Sequence, residues 1–241
     1  MRGKSCTTNL NEFFEKVSEA VDDGVLVDII YLDFAKAFDK VPKERLLKKL
    51  KANGVRGKIL EWIRGWLTGR KQRVVLNGKE STWRDVLSGV PQGSVLGPLL
   101  FIIFIDDLEE HVPGADIVSK FADDTKVAKL IRAPEDAASL QTAVDGLATW
   151  AATWQMEFNV QKCKVMHIGR TNPGHQYTMA GQLLADTEEE KDLGVVVTSS
   201  LKPAKQCARA AATASTVLGQ ISRAFHYRDK RVFVQLYKTY V

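Results

Sequence analysis

The sequence predicts an α+β fold in which an antiparallel sheet carries helices on one side. The run from Val25 to Phe34 is β-branched and almost wholly apolar, as is typical of a strand buried on both faces. Two hairpin signals follow: Asn77-Gly78 between apolar segments, and Ala122-Asp123-Asp124 inside the apolar run 117–131. Amphipathic helical patterns occupy most of the remaining chain.

The first half of the chain alternates helices with extended segments. Leu10, Phe13 and Val17 are spaced for one face of a helix, and Asp22-Asp23-Gly24 supplies its end. The predicted elements are a helix over 8–22, the strand over 25–34, helices over 43–53 and 57–68, a hairpin with strands 73–76 and 82–86, and an apolar helix over 94–108.

The second half begins with the predicted hairpin over 117–131 and continues with a long helix over about 135–157. Residues 164–168 and 177–184 are strand candidates. From Pro203 the composition shifts to Ala, Ser and Thr at helical spacing, with proline at a first helical turn. The helical pattern over 227–241 is still periodic at the last residue, which indicates a chain that once continued.

Composition and charge exclude several classes of protein. Of 241 residues, 45% are hydrophobic and 26% are charged, which argues against a disordered, collagen-like or disulfide-stabilised chain. Cys6, Cys163 and Cys207 are far apart in sequence, which predicts free thiols in a reducing compartment. The formal charge of +5 fits a polyanionic partner. The longest apolar stretch, 95–105, is shorter than the roughly 20 residues that span a bilayer, and no secretory signal follows the basic start.

Three carboxylates stand out because apolar strands surround them. Asp33 ends the strand 25–34, and Asp123 and Asp124 occupy the tip of the second hairpin. Carboxylates from two strand ends form a hard oxygen site of the type that Mg²⁺ prefers, and two such ions about 3.5–4 Å apart can clamp a phosphoryl transfer. The alternative is ordinary turn chemistry, because Asp-Asp also occurs at 22–23 and 106–107.

Five segments, in order, resemble the motifs of non-LTR retrotransposon reverse transcriptases, of the LINE-like jockey and chicken-repeat type. YLDFAKAFDKVP (31–42) resembles motif A, SGVPQGSVLGPLLF (88–101) motif B and FADD (121–124) motif C. NVQKC (159–163) and DLGV (192–195) resemble motifs D and E. The resemblance covers essentially the whole chain, and its motif B is long and specific.

The resemblance implies a right-hand palm with partial fingers over 1–198 and the beginning of a helical thumb over 199–241. It implies an RNA-directed DNA polymerase that transfers dNTPs onto the 3′-hydroxyl of a DNA primer along an RNA template. In this family two Mg²⁺ ions, with Mn²⁺ as a substitute, would be held by Asp33 and Asp123 with support from Asp124. Lys162 matches the motif D lysine, a general acid for the leaving pyrophosphate, although a solvated lysine is the simpler interpretation.

The resemblance also assigns the substrate contacts. The backbone from Phe34 through Lys36 and Ala37 would face the triphosphate, and Phe38 would exclude a 2′-hydroxyl and select dNTPs. Gln92 would contact the incoming nucleotide. Without the motifs, Phe38 is a core aromatic and Gln92 a turn amide. The residues that would lie near template or primer are Ser88, Gly89, Pro91, Gly93, Leu193 and Gly194.

Departures from the family pattern imply a truncated copy with an incomplete enzyme. Arg2-Gly3-Lys4-Ser5 resembles the tail of a fingers motif whose upstream part is absent, and the thumb stops at Tyr240-Val241. An intracellular, nuclear location follows from priming at nuclear DNA, and no membrane partner is expected. Two alternatives stay open: a catalytically inactive remnant that binds nucleic acid, and an RNA-dependent RNA polymerase palm, against which Phe38 and the Ala-Asp-Asp turn argue.

Overall fold

The computed structural model describes residues 5–225 and 229–240. The chain forms two compact units, Met1–Thr187 and Glu188–Val241, so the predicted domain boundary at residue 198 falls inside the second unit. Arg2-Gly3-Lys4, and Tyr227, Arg228 and Val241 of the predicted final helix, lie outside the described residues. In the described part of the chain, no helix is long and apolar enough to cross a bilayer.

A five-stranded sheet forms the centre of the first unit. Strand β1 (Leu26–Leu32) lies between β7 (Asp124–Ile131) and β8 (Lys164–Ile168) and is antiparallel to both. Strand β6 (Ile117–Phe121) is antiparallel to β7 at one edge, and β11 (Ala185–Asp186) is parallel to β8 at the other. The predicted buried strand and the predicted antiparallel sheet are therefore confirmed.

Helices cover both faces of this sheet, whereas the sequence predicted helices on one side. Ile30 of β1 belongs to the main core together with α6 (Pro134–Trp154). On the opposite face α1 (Cys6–Asp22) places Phe13 4.6 Å from the ammonium of Lys126. The physical reason lies in β1 itself, where successive residues are buried on both faces, so a single helical layer would leave half of its apolar surface in water.

The long helices begin where local side chains cap them. The hydroxyl of Ser5 accepts from the backbone N–H of Thr8, whose own hydroxyl accepts from the N–H of Ser5, and α1 follows. At the start of α6 the carboxylate of Asp136 accepts from the N–H of Ala133. Helix α6 ends at Trp154, before the predicted residue 157, because Gln155 adopts a left-handed conformation with φ of 56°.

Shorter helices lie between β1 and β6. They are α2 (Ala37–Lys40), α3 (Lys43–Ala52), α4 (Gly57–Leu67), α5 (Leu96–Phe104) and a 3₁₀ helix (Asp106–His111). The apolar helix predicted over 94–108 is thus shorter at both ends. Beside it the buried ammonium of Lys49 donates to the carboxylate of Asp107, which also accepts from the indole N–H of Trp150 at 2.8 Å. This member of an Asp-Asp pair is structural.

The hairpin around Asn77-Gly78 is confirmed, but its ladder is interrupted. Near the turn β3 (Val75–Leu76) pairs with β4 (Lys79–Glu80), and at the base β2 (Lys71–Gln72) pairs with β5 (Arg84–Asp85). The returning strand begins at residue 79 rather than 82, because a two-residue turn leaves no loop.

The strand predicted over 177–184 is wrong: this segment is a hairpin of β9 (Thr178–Met179) and β10 (Gln182–Leu183). Ala180 and Gly181, both at positive φ, turn the chain between the two strands.

A buried carboxylate in the central strand accepts hydrogen bonds from three side chains. Asp28 of β1 is fully buried and accepts from His167 Nδ1 at 2.7 Å, from Asn172 Nδ2 at 2.8 Å and from the hydroxyl of Tyr177 at 2.6 Å. Burial raises the pKa of Asp28, but these hydrogen bonds outweigh burial and hold its pKa below the ordinary value. The hydrogen bond to Asp28 raises the pKa of His167, whose Nε2 lies 3.3 Å from Asp186.

The second unit begins with a short hairpin and continues with helices. Strands β12 (Glu189–Asp192) and β13 (Val195–Thr198) pair antiparallel, and α7 (Ala204–Ala224) and α8 (Lys230–Tyr240) follow. The helix predicted from Pro203 is confirmed, with the proline immediately before its first residue.

Candidate active site

The three predicted carboxylates lie at one end of the central sheet. Leu32, the last residue of β1, pairs with Thr125, so Asp33 and Asp124 each lie one residue beyond the same cross-strand pair. Phe121 pairs with Asp124, and Ala122 and Asp123 form the two-residue turn, with Ala122 at φ of 54°. Asp123 and Asp124 are exposed and the side chain of Asp33 is 41% exposed, so all three carboxylates are accessible from solvent.

The backbone of Asp33 is fixed from the side opposite the hairpin. Its carbonyl accepts from the N–H of Asn159 at 2.7 Å, and the N–H of Ala35 donates to the carbonyl of Glu157 at 2.8 Å. The buried thiol of Cys163 lies 3.5 Å from the N–H of Asp33, and burial raises the pKa of this thiol. The sequence treated Cys163 only as a free thiol; its position directly after the motif D lysine was the available signal.

Lys162 lies beside the first of the carboxylates. Its Nζ is 3.5 Å from Oδ2 of Asp33, and its side chain is 65% exposed. The tight turn that begins at Asn159, whose carbonyl accepts from the N–H groups of Lys162 and Cys163, puts the lysine there. The structure therefore brings motif D to motif A, as one compact site requires.

The three carboxylates have the chemistry of divalent-metal ligands. Asp33, Asp123 and Asp124 supply hard carboxylate oxygens at one exposed edge, which is the chemistry that Mg²⁺ prefers. Within residues 5–225 and 229–240, no three acidic, histidine or cysteine side chains converge closely enough to enclose an ion by themselves. The three carboxylates would therefore hold an ion in an open site, where substrate oxygens would supply the further ligands.

Motif B is locked onto motif A through Asp39. The hydroxyl of Ser88 donates to the carbonyl of Asp39 at 2.8 Å, and Nε2 of Gln92 donates to its carboxylate at 3.0 Å. The N–H of Gly89 donates to the carbonyl of Val41 at 2.8 Å. Gly89 has a φ of 91°, and a Cβ there would lie 2.7 Å from the carbonyl oxygen of Asp39. Only glycine fits this approach, and Asp39 is a site residue that the sequence analysis did not single out.

Phe38 is half-buried and lies between the two motifs. Its ring stacks on Phe101 of α5, with 4.7 Å between ring centroids, and its carbonyl accepts from the N–H of Val90 at 2.8 Å. One part of the ring is therefore core, as the simpler interpretation expected, and the remainder faces out. Pro91 is half-buried in the same turn and Gly93 is exposed at φ of 76°, with open space around it.

The residues after Asp33 divide into buried side chains and available backbone. Phe34 is only 5% exposed and stacks on Phe158, and Ala37 is 4% exposed, so neither side chain faces a nucleotide. Exposed Lys36 adopts a left-handed conformation with φ of 54°. In the described part of the chain, no backbone acceptor takes the N–H groups of Lys36, Ala37 or Phe38, whereas the N–H of Ala35 is already paired.

Leu193 and Gly194 form the turn between β12 and β13 in the second unit. Asp192 pairs with Val195 across this turn, and both turn residues have positive φ, 45° for Leu193 and 92° for Gly194. This is the geometry of a type I′ hairpin turn, which glycine favours at its second position.

Comparison with known proteins decides the family. The sequence profile described as "Reverse transcriptase (RNA-dependent DNA polymerase)" matches residues 14–219, which is most of the chain. The chain belongs to the reverse transcriptase family. Motifs A to D, which the sequence identified from their order, thus lie in a reverse transcriptase and surround one end of its palm sheet.

The relatives come from mobile elements. The chain is 33% identical over 198 residues to the "RNA-directed DNA polymerase from mobile element jockey" of Drosophila funebris, covering 76% of this chain and 21% of that protein. It is 31% identical over 166 residues to the "Probable RNA-directed DNA polymerase from transposon X-element" of Drosophila melanogaster, covering 67% and 18%. The chain therefore spans about a fifth of the length of these relatives.

A solved structure shares the fold. An apo telomerase from Candida tropicalis, truncated from its C-terminal domain, superposes with a TM-score of 0.54 at 10% identity. The match covers 83% of this chain and 39% of that one. The predicted α+β palm architecture, an antiparallel sheet with helices against it, is confirmed.

Proposed function

We propose that this chain carries the polymerase centre of a non-LTR retrotransposon reverse transcriptase, which adds dNTPs to a primer 3′-hydroxyl opposite an RNA template. One observation carries the proposal: Asp33 and the Asp123-Asp124 turn lie side by side at the exposed end of adjacent strands. Motif B is fastened to motif A directly beside them. Family membership supports the reaction class, and the activity of this chain is the proposal.

The family uses a divalent metal ion for this reaction, and the fit of the carboxylates supports two Mg²⁺ ions, with Mn²⁺ as a substitute. Asp33 and Asp123 would hold the ions, and Asp124 would support them. When bound, the ions would supply electrostatic stabilisation of the attacking hydroxyl and of the leaving pyrophosphate. The chain's own contribution is to keep these carboxylates in place through the register of β1 and β7 and the backbone anchors of Asp33.

The backbone beside Asp33 would hold the nucleotide. The available N–H groups of Lys36, Ala37 and Phe38 follow one another, and successive amides of this kind bind phosphate oxygens. The outward part of the Phe38 ring would exclude a 2′-hydroxyl, because its stacking on Phe101 prevents it from moving aside. Gln92 would contact the nucleotide from the opposite side, in the place that its bond to Asp39 fixes.

The remaining predicted residues would donate a proton to the leaving pyrophosphate or contact the template and primer strands. Lys162, within 3.5 Å of Asp33, would donate a proton to the departing pyrophosphate. Ser88, Gly89, Pro91 and Gly93 would line the template side of the nucleotide, and Leu193 with Gly194 would contact the primer. RNA template, DNA primer and dNTPs are thus the proposed partners. Priming at chromosomal DNA would place the protein in the nucleus.

Primer extension tests this proposal. The chain is incubated with oligo(dT) on poly(rA), Mg²⁺ and dTTP, beside Asp123→Asn and Phe38→Ala. Asp23→Asn is a matched control, because Asp22-Asp23 is another exposed Asp-Asp pair that ends α1. It precedes the first residue of β1, whereas Asp33 follows the last residue, so the two lie at opposite ends of this strand. We expect extension by the wild type and by Asp23→Asn, loss of at least about 10²-fold in Asp123→Asn, and incorporation of rUTP by Phe38→Ala.

A catalytically inactive nucleic-acid-binding remnant is the competing function. One observation favours it: in the described residues the carboxylates do not by themselves enclose a metal ion. Binding of the duplex without any extension would support this remnant and contradict the proposed activity. Equal extension by Asp123→Asn and wild type would contradict the site assignment.

A further inference from the structure

A stack of flat side chains follows one side of α4 and continues past its end. Trp62 and Trp66, one helical turn apart, stack with 6.3 Å between ring centroids and 9° between planes. The guanidinium of Arg70 lies 5.7 Å from the ring of Trp66 on the same stack. Trp66 is half-buried against the main core, whereas Trp62 is 60% exposed. The stack therefore has a fixed base and an open outer ring.

The hairpin β2–β5 follows Arg70 directly in the chain and carries a second exposed ring. Arg73 lies 4.6 Å from the ring of Trp83, and Trp83 is 58% exposed. Every residue from 68 to 85 is exposed, including Val75 and Leu76 at the tip. A two-stranded hairpin without a covering element is marginally stable in water. Val74, Val75, Leu76 and Trp83 are all exposed on this one hairpin, and exposed apolar residues grouped in this way mark a candidate interaction surface.

The charge of this surface selects its occupant. Between residues 70 and 86 the cationic residues are Arg70, Lys71, Arg73, Lys79 and Arg84, against the acidic Glu80 and Asp85. Arg73 pairs with Glu80 and Lys71 lies 4.0 Å from Asp85, so the net positive charge of this segment corresponds to Arg70, Lys79 and Arg84. Exposed aromatic rings held beside guanidinium groups suit unpaired bases, which stack on the rings while phosphates meet the cations. A paired duplex offers no base faces to such rings.

A cavity lies between Arg70 and the first residue of motif B. It has a volume of about 700 Å³ and is lined by Lys43, Thr68, Arg70 and Ser88, among others. Ser88 is the first residue of motif B and bonds to Asp39. The basic end of the tryptophan stack and the proposed template side of the nucleotide therefore face the same cavity.

We propose that Trp62, Trp66, Arg70, Arg73 and Trp83 form a docking surface for single-stranded RNA, which holds the unpaired template ahead of the active site. The role as template contact rests on the proposed polymerase function; the recognition of an unpaired strand rests on the rings and charges alone. Bases stack on Trp62 and Trp83, and the two arginines neutralise phosphates.

The test measures how binding depends on unpaired template. Fluorescein-labelled RNA/DNA duplexes carry a 5′ template overhang of either one or ten uridines, and affinity is measured by fluorescence anisotropy in EDTA, where no chemistry takes place. We expect the wild type to bind the long overhang about tenfold or more tightly than the short one, because several stacked bases are added. Trp62→Leu and Trp83→Leu keep an apolar side chain but remove the ring face. They should bring this ratio towards one and leave the affinity for the short overhang unchanged.

Two arginine variants separate phosphate contact from general charge. Arg73→Ala should lower the slope of log affinity against log salt by about one for the long overhang only. Arg132→Ala makes the same change of charge at the end of β7 remote from the Ala122-Asp123 turn, and should leave both overhangs unaffected. Sedimentation of each variant shows whether the surface instead joins two copies of the chain.

An unchanged overhang ratio in the tryptophan variants would overturn the proposal. So would an equal loss for both duplexes, or a dimer that the variants convert to monomer without altering the ratio. If the wild type extends no primer yet keeps its preference for the long overhang, the docking surface stands and the proposed polymerase activity falls.

Discussion

Two aspartates five residues apart show opposite uses of the same side chain. Asp28 lies within β1, is fully buried and accepts hydrogen bonds from His167, Asn172 and Tyr177. Asp33 lies just past the end of β1, with its side chain 41% exposed and a single lysine 3.5 Å away. The protein supplies three hydrogen-bond donors to the carboxylate of Asp28, whereas the carboxylate of Asp33 can still accept from or coordinate a ligand.

Asp28 and Asp33 both belong to the same apolar run, so an acidic residue in such a run does not by itself indicate a functional site. Its hydrogen-bond partners decide whether it is structural. A buried carboxylate without donors is costly, so the fold surrounds Asp28 with three of them. The open carboxylates occur where strands end and side chains no longer pack. Asp107 repeats the pattern of Asp28, because it serves buried Lys49 and Trp150.

The largest expected effect is on the buried member. Asp28→Ala leaves the hydroxyl of Tyr177 and Nδ1 of His167 without their acceptor inside the sheet, and should cost about 3–5 kcal/mol of unfolding free energy. Urea denaturation followed by circular dichroism measures this. A loss below about 1 kcal/mol would show that Asp28 is not a structural centre.

The next largest effect is expected at the close contact between motifs A and B. Gly89→Ala places a Cβ 2.7 Å from the carbonyl oxygen of Asp39 at a φ of 91°, and should cost more than about 1 kcal/mol and most of the primer extension. Gly93→Ala is the matched control, because its φ of 76° carries the same backbone strain in open space. Equal losses in the two variants would contradict the close contact between motifs A and B.

A smaller loss of stability is expected when only one donor to Asp28 is removed. Tyr177→Phe removes one of its three donors and retains the ring, so the expected loss is about 1–2 kcal/mol, less than that of Asp28→Ala. Thermal unfolding compares the two variants in one experiment. A loss in Tyr177→Phe that equals the full loss in Asp28→Ala would assign the effect to the tyrosine alone.

The smallest effect is a pH dependence. The pKa of His167 is raised above its ordinary value of 6.5, so its contribution to stability is complete below pH 6.5 and is lost as pH rises through the folded-state pKa. The pKa of Asp28 is held below its ordinary value of 3.8, so its contribution is complete above pH 3.8 and is lost as pH falls through the folded-state pKa. Between these values both contribute fully.

Unfolding free energies from pH 3 to 9 measure this dependence, with His167→Gln as the control that should lose the alkaline decline. An alkaline decline of the same size in that variant would assign it to other groups.

Local patterns predicted most of the fold. The run 25–34, the turns Asn77-Gly78 and Ala122-Asp123 and the start of α7 after Pro203 each carry their own signal in neighbouring residues. The second helical layer was missed because covering both faces of β1 is a tertiary consequence. The hairpin 178–183 was missed because Ala180 shows no turn preference, yet it adopts a φ of 50°.

The sequence predicted those site residues that belong to contiguous motifs. It did not predict the contacts between residues that are far apart in sequence. Asp33, Asp123 and Asp124 could be picked out from strand ends, and the motif order grouped them. Asp39 bonds to Ser88 and Cys163 lies against Asp33, and each contact joins residues that are dozens of positions apart. The sequence therefore did not show these contacts, although both residues lie in segments that resemble motifs A and D. Phe34 is likewise buried because its ring stacks on Phe158, a residue outside the motif A segment, so motif A alone did not predict this burial.

The most direct test of the contrast is to remove the charge of each aspartate and measure two properties side by side. Asp33→Asn and Asp28→Asn are compared in thermal unfolding and in dTTP incorporation on oligo(dT)/poly(rA). We expect Asp33→Asn to keep the melting temperature of the wild type and lose at least about 10²-fold in incorporation. Asp28→Asn should lower the melting temperature by about 2–4 °C for each kcal/mol lost and keep incorporation at temperatures where it stays folded. Full incorporation by Asp33→Asn, or a melting temperature that falls as far as in Asp28→Asn, would contradict the account.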